Sequence, residues 1–346
     1  MPTSQSLLVN LAIFAVAAVC VWLAGWRIAG CAAEIARRSG LGEALMGLLL
    51  LAGVTSLPEI ATSFTAALSD DPRLAVNNLL GSIAMQVAVL AVADAFIDDR
   101  ALTSVVPDPV VMLQGGLNVA LLAVVAIATL VGDVLVAGAG VWSWSLLLAA
   151  AYAFWKLSRV GDRRPWVVPD GSLPRRIAPE VGEGSGASHA RLTLKTVGFA
   201  LVILAAGTVV AASGSAIAEQ SGLGASFVGV AFVAVATSLP EASTVFASVR
   251  RGLYTMAISD ILGTNVLNVA LIAAVDLLAP GAPVLSRAGA FATVATLLGI
   301  LVTSLFMIGL AERRDRTVWR MGIDSAAVLV VYLGGMVLLF TLREAG

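Results

Sequence analysis

Apolar runs long enough to cross a bilayer recur along this chain, with polar residues gathered mostly between them. Ten runs can be drawn, near 6–28, 42–68, 74–96, 109–131, 134–157, 195–218, 223–249, 254–278, 287–310 and 322–342. A helix needs about 20 residues to span the hydrocarbon. Nothing resembles the short alternating strands of a transmembrane barrel. The pattern therefore predicts an all-α polytopic membrane protein of about ten transmembrane helices. One long polar segment, Arg159 to Arg191, breaks the pattern with four prolines and the tract GEGSGAS. It reads as a cytoplasmic linker loop over 159–191, joining five-helix halves at 1–158 and 192–346.

Within the apolar runs the polar residues repeat. The tract Thr55-Ser56-Leu57-Pro58-Glu59 returns as Thr237-Ser238-Leu239-Pro240-Glu241, 182 residues later. The register holds without a gap from 40–94 to 222–276, with roughly one position in three identical. An odd number of spans per half makes the second half enter from the opposite side. The repeats are then inverted, and a pseudo-two-fold axis in the membrane plane brings the two tracts together near the midplane.

Charge supports this arrangement. With the linker placed in the cytoplasm and sides alternating from there, 18 of the 21 Lys and Arg residues face inside, leaving Arg73, Arg287 and Arg343 outside. Both termini then lie outside. Composition adds that charged residues make up only 12% of the 346 positions and mean hydropathy is +0.96. No nucleic-acid-binding character is present. Cys20 and Cys31 read as apolar filler, and His189, the one histidine, falls in the polar segment.

The repeated tracts offer oxygen chemistry. Pro58 and Pro240 lack the N–H that Val54 and Ala236 carbonyls need, so backbone oxygens are freed inside the membrane. The hydroxyls of Thr55, Ser56, Thr237 and Ser238 and the carboxylates of Glu59 and Glu241 lie beside them. Asn78 and Asp260, equivalent positions on the third and eighth spans, add an amide and a third carboxylate. No basic residue shares these four spans. Hard cations such as calcium and sodium take such donors. Asp94 and Asp276 also match; their place near span ends reads as interfacial anchoring. Gln114 and Asn118, one turn apart, read as interhelical hydrogen-bond formers.

At these residues the chain resembles the calcium/cation antiporter superfamily, and within it the sodium/calcium exchangers of prokaryotic type. That family carries G-T-S-L-P-E followed by G-N-x-x-G-S-N in each repeat. The resemblance implies Glu59 and Glu241 as central calcium ligands that share in sodium binding, with Thr55 and Thr237 beside them on the metal. It implies Asn78 and Asp260 in the middle of the site. Thr55, Ser56, Thr237 and Ser238 would serve sodium, and Ala52 and Ala234 would give backbone carbonyls. The first and sixth spans would slide as a pair. Departures are Val54 and Ala236 for the leading glycine, Asn77-Asn78 and Ser259-Asp260 for G-N, Ile83 against Asn265, and Gln86 against Asn268.

The expected function is secondary antiport of sodium against calcium, with no catalysis, no cofactor, the bilayer as environment and no obligate protein partner evident. The expected location is a prokaryotic inner membrane. A proton-driven calcium or other divalent cation antiporter is the alternative, although the Gly-Asn-x-x-Glu tract of such relatives is not found. P-loop, HExxH, GxSG and GxGD tracts are absent, which argues against a pump or an intramembrane enzyme.

Overall fold

The computed structural model describes residues 6–68, 72–97, 100–106, 108–159, 188–221 and 234–342. Among the described residues, the regular structure is helical apart from two tiny hairpins. In chain order the helices are α1 (Leu7–Ser39), α2 (Glu43–Thr55), α3 (Leu57–Leu68), α4 (Pro72–Asp94), α5 (Leu102–Val105), α6 (Val110–Val131), α7 (Val141–Ser158) and α8 (His189–Gln220). They continue as α9 (Ala234–Thr237), α10 (Leu239–Arg250), α11 (Tyr254–Leu278), α12 (Gly289–Glu312) and α13 (Ile323–Leu342). Seven of these, α1, α4, α6, α8, α11, α12 and α13, are long and apolar enough to cross a membrane; the bent pair α2–α3 makes an eighth. The protein is thus an integral membrane protein.

Several boundaries differ from the sequence expectation. Helix α1 runs on to Ser39, where Arg37 and Arg38 both pair with Glu34 and Gly40 closes the helix at φ 71°. Helix α8 begins at His189, capped by the Ser188 hydroxyl, so its first turn lies inside the stretch read as linker. The remaining linker residues 160–187, and the start of the second repeated region at 222–233, lie outside the described residues. The fifth run opens as a hairpin, β1 (Leu135–Val136) with β2 (Ala139–Gly140), and not as helix. Its counterpart is β3 (Thr317–Val318) with β4 (Met321–Gly322), again 182 residues on. Both turns hold two residues at positive φ, Ala137 and Gly138 in one and Trp319 and Arg320 in the other, as a tight two-residue hairpin requires.

Helices α4 and α11 form the centre. Nearly every residue of each is buried, and neither has a polar face. Such all-round burial marks core helices. α12 and α13 pack around α4; α6 and α7 pack around α11, and α6 also packs on α12. Within this core Gln114 accepts from the Ser259 hydroxyl at 2.9 Å, and Asn118 donates to the Leu262 carbonyl at 3.4 Å, as expected of polar links between spans. The long helices α1 and α8 pair along their length on the outside of the broken helices. Gly25 of α1 lies against Ser243 and the Pro240 carbonyl, while Gly207 of α8 lies against the Pro58 ring. These glycines are themselves 182 residues apart, and each meets the proline break of the other half.

Asp94 and Asp276 are buried, which corrects the reading of them as interfacial anchors. Asp94 accepts the backbone N–H of Leu102 and, at 2.7 Å, that of Gly322 in the other half. Asp276 accepts the N–H of Val284 and, across the halves, that of Gly140, each at 2.8 Å, and the Ser143 hydroxyl at 2.6 Å. Each carboxylate therefore ties the end of a central helix to the opposite half's hairpin. The period-matched sequence pair signals the two aspartates, but only the tertiary contact shows what they hold.

Close packing of α2 on α11 depends on Gly47. A Cβ there would stand 2.5 Å from the Met256 carbonyl oxygen and 2.9 Å from the Asp260 nitrogen, both backbone atoms. Gly47→Ala must push the helices apart at an expected cost of about 1–3 kcal/mol. Gly53→Ala, with nothing within 4 Å of the added carbon, is the matched control. Thermal unfolding in detergent should show a clear drop for the first and none for the second; equal melting of both would contradict the close approach.

Candidate functional site

Both repeated tracts sit where a helix is broken. The α2–α3 axis bends by 44° at Ser56. Pro58 removes the amide that would continue the ladder, and the Thr55 and Ser56 hydroxyls turn back on the chain. Thr55 donates to the Leu51 carbonyl at 2.9 Å and Ser56 to the Ala52 carbonyl at 2.7 Å. Just upstream, Met46–Leu51 is wound as π-helix, a distortion frequent at functional sites. In the second half α9 ends at Thr237, and α10 starts after Ser238 with Pro240 in its first turn. The backbone of Ala234 opens α9.

Glu59 and Glu241 therefore each fall in the first turn of a half-helix, where the helix dipole favours negative charge. Both are fully buried, as are Thr55, Ser56, Thr237, Ser238 and Asp260; Asn78 is nearly so. The Glu241 carboxylate has those of Glu59 and Asp260 as its charged neighbours, and the Thr55 hydroxyl beside it. Among the described residues, no cationic side chain acts on any of the three.

The hydrogen-bond pattern leaves much oxygen unused. Glu59 Oε1 accepts from Gln86 Nε2 at 3.3 Å, but Glu59 Oε2 has no partner. Both oxygens of Glu241, Asp260 Oδ1, the Ser238 hydroxyl and the Asn78 amide are also buried without a hydrogen bond. Buried polar atoms are nearly always satisfied, so such a concentration needs a reason. A polar ligand entering between the two breaks supplies one. Among the described residues, however, no three His, Cys, Asp or Glu side chains converge closely enough to hold a single metal ion. The carboxylates are spread along a polar seam.

The structure also brings in residues that the sequence ranked lower. Gln86 reaches Glu59 directly, and Asn268 Nδ2 donates to the Ser82 hydroxyl of the other half at 2.9 Å. Gln86 and Asn268 occupy equivalent positions, as do Ser82 and Thr264. The shared offset signals these pairs, and their placement beside Glu59 and across the halves adds them to the candidate site. Asn78 and Asp260 lie two turns earlier on the same helices. Asp260 accepts from the Thr244 hydroxyl of α10, while both polar atoms of the Asn78 side chain are unpaired.

Comparison with known proteins agrees with this architecture. The family model described as sodium/calcium exchanger protein matches in two segments, residues 9–159 and 192–342. A putative antiporter, CaxA, of Alkalimonas amylolytica is 26% identical over 327 residues, covering 93% of this chain and 95% of that protein. The inner membrane protein YrbG of Escherichia coli (strain K12) is 28% identical over 262 residues, covering 74% and 75%. Among solved structures, the sodium-calcium exchanger NCX_Mj soaked with sodium and strontium superposes with a TM-score of 0.70 at 16% identity, over 96% of this chain and 99% of the other. At that identity the superposition speaks for the fold alone. The family match, by contrast, takes in both halves and most of the sequence, and the protein is therefore a member of the sodium/calcium exchanger family, within the calcium/cation antiporter superfamily.

Proposed function

We propose that this protein is a secondary antiporter that exchanges sodium for calcium, by alternating access to a midplane site between the two broken helices. The observation that carries the proposal is the pair of unneutralised, incompletely bonded glutamates, Glu59 and Glu241, at matching helix breaks. Calcium is held by the two carboxylates with Thr55 and Thr237. Sodium uses the same glutamates with the Ser56 and Ser238 hydroxyls and the carbonyls of Ala52 and Ala234. Asn78 and Asp260 extend the polar seam, and Gln86 orients Glu59. Competition of two ion species for one set of carboxylates is the physical basis of coupled exchange, since neither half-cycle completes with the charges bare.

In this reading the chain forms two inverted five-helix repeats, about ten spans in all, with residues 1–158 and 192–346 as halves, 40–94 and 222–276 as the ion-binding regions, and 159–191 as a cytoplasmic linker. The bent α2–α3 pair, α9–α10 and the 18-residue α7 complete the count. The reciprocal contacts support it: Gly25 on Pro240 against Gly207 on Pro58, and Asp94 to Gly322 against Asp276 to Gly140. The charge distribution supports a prokaryotic plasma membrane protein with both termini outside. The α1–α8 pair, which meets the breaks through glycine, is the element that slides.

The test is calcium-45 uptake into proteoliposomes carrying an outward sodium gradient, an outward proton gradient, or neither. Uptake that needs the sodium gradient supports the proposal. Uptake driven by protons alone moves the protein to proton-coupled divalent cation antiport, and uptake without any counter-gradient contradicts antiport.

A further inference from the structure

The paired helices α1 and α8 are longer than the bilayer core is thick. With 33 and 32 residues they each reach about 50 Å, against about 30 Å of hydrocarbon. The surplus lies at the end where α1 finishes and α8 begins. No charged residue occurs from Leu7 to Trp26 in α1, or from Thr196 to Ala218 in α8. Arg27 and Lys195 are thus the first charges met on leaving the apolar region, at the depth of lipid headgroups. Trp22 and Trp26 lie just to the bilayer side, as interfacial anchors do.

Between Arg27 and Lys195 the two helices leave a cavity of about 270 Å³, walled also by Gly30, Cys31, Leu192 and Phe199. Arg251 stands behind it: a Cβ at Gly30 would be 3.6 Å from the guanidinium, which donates to the carbonyls of Ala247 and Trp26 at 2.8 and 3.2 Å. Among the described residues, Arg27 and Lys195 make no hydrogen bond or ion pair through their side chains, and no carboxylate reaches Arg251. The one carboxylate of α1, Glu34, is held by Arg37 and Arg38. The opposite end of the pair is built differently. There the positions matching Arg27 and Lys195 are Val209 and Ile13, and Asn10 donates to Gln220 at 3.4 Å.

Unpaired cations around one cavity repel each other until an anion lies between them. We propose that this cavity binds the phosphodiester headgroup of an anionic phospholipid, held by Arg27 of α1 and Lys195 of α8, so that one lipid clasps the two helices together. Leu192 and Phe199 give the apolar surface that a lipid needs and a free phosphate ion does not. The orientation proposed above puts this end in the cytoplasmic leaflet, where basic pockets between helices meet anionic headgroups. The inference does not depend on which ions the protein exchanges.

The test is native mass spectrometry of the delipidated full chain, titrated with phosphatidylglycerol, phosphatidylcholine or inorganic phosphate. Phosphatidylglycerol is expected to bind in preference to phosphatidylcholine, and excess inorganic phosphate is expected not to displace it. A basic residue near the membrane surface contributes about 5-fold in affinity, so Arg27→Gln with Lys195→Gln should weaken binding about 25-fold. The control is Arg159→Gln with Arg316→Gln, which makes the same change in net charge away from the cavity and should leave that affinity unchanged. Equal binding of phosphatidylcholine, or an equal loss in the control, overturns the site as mere attraction between a basic surface and lipid. Displacement by inorganic phosphate identifies a soluble anion as the ligand and overturns the lipid assignment. If the double variant does not fold, the exposed Lys195→Gln alone decides: about 5-fold weaker binding supports the clasp, and no change overturns it. Each of these outcomes leaves the antiport reading as it stands.

Discussion

Glu59→Gln and Glu241→Gln are each expected to abolish calcium transport while leaving the protein folded. The two side chains are nearly isosteric, so packing around the helix breaks is preserved, and removing a buried, unneutralised charge does not cost stability by itself. What is lost is half of the formal charge at the locus between the glutamates. Truncating one partner of a buried, desolvated charge pair costs about 2–5 kcal/mol, which is roughly 30-fold or more in affinity. The two variants differ in detail. At Glu241 no donor is displaced, because both carboxylate oxygens lack hydrogen bonds at the outset. At Glu59 the new amide must also accommodate Gln86, whose Nε2 already donates to Oε1. Calcium-45 uptake with a melting curve for each variant checks this. Robust transport by either one would remove that glutamate from the site.

Asp94→Ala and Asp276→Ala are expected to destabilise the fold more than any substitution in the ion site. Each carboxylate accepts two buried backbone N–H groups, one of them from the opposite half. A buried donor left without a partner costs about 1–3 kcal/mol, so two donors put the loss near 3–5 kcal/mol for each substitution. The effect is structural: the hairpins β1–β2 and β3–β4 set the angles at which α7 and α13 leave the core, and the aspartates fix the hairpins to α11 and α4. Asp→Asn is expected to be milder, since one oxygen still accepts. Melting in detergent and monodispersity on gel filtration are the measurements. Unchanged melting of both alanine variants would show that the cross-half contacts contribute little.

How far the sequence foretells this molecule depends on the kind of information asked for. The helix breaks are legible because Pro58 and Pro240 have a local cost that any fold must meet, and the 182-residue register marks their equivalence. Membrane character follows from hydropathy alone. Gln114 and Asn118 find partners on α11, as polar groups within apolar spans must. Asp94 and Asp276 show the limit: their position near span ends fits a headgroup contact as well as a buried cap, and only the return of a distant hairpin decides between them. Gln86 shows another. It lies 27 residues from Glu59, and its contact depends on how α3 and α4 pair as a hairpin and on a side-chain rotamer, neither of which is written in a local pattern. The hairpin at 135–140 is hidden because its residues continue the apolar run, and that at 317–322 because it falls in the charged stretch between two runs, while the turns rely on tertiary support for positive φ at Ala137, Trp319 and Arg320.

The central claim, that sodium and calcium share one set of carboxylates, is tested most directly by equilibrium calcium-45 binding to the purified protein with increasing sodium. The account predicts that sodium displaces calcium with a steepness above one ion per site, and that Glu241→Gln loses calcium binding. Calcium binding that ignores sodium, or survives Glu241→Gln, would contradict it.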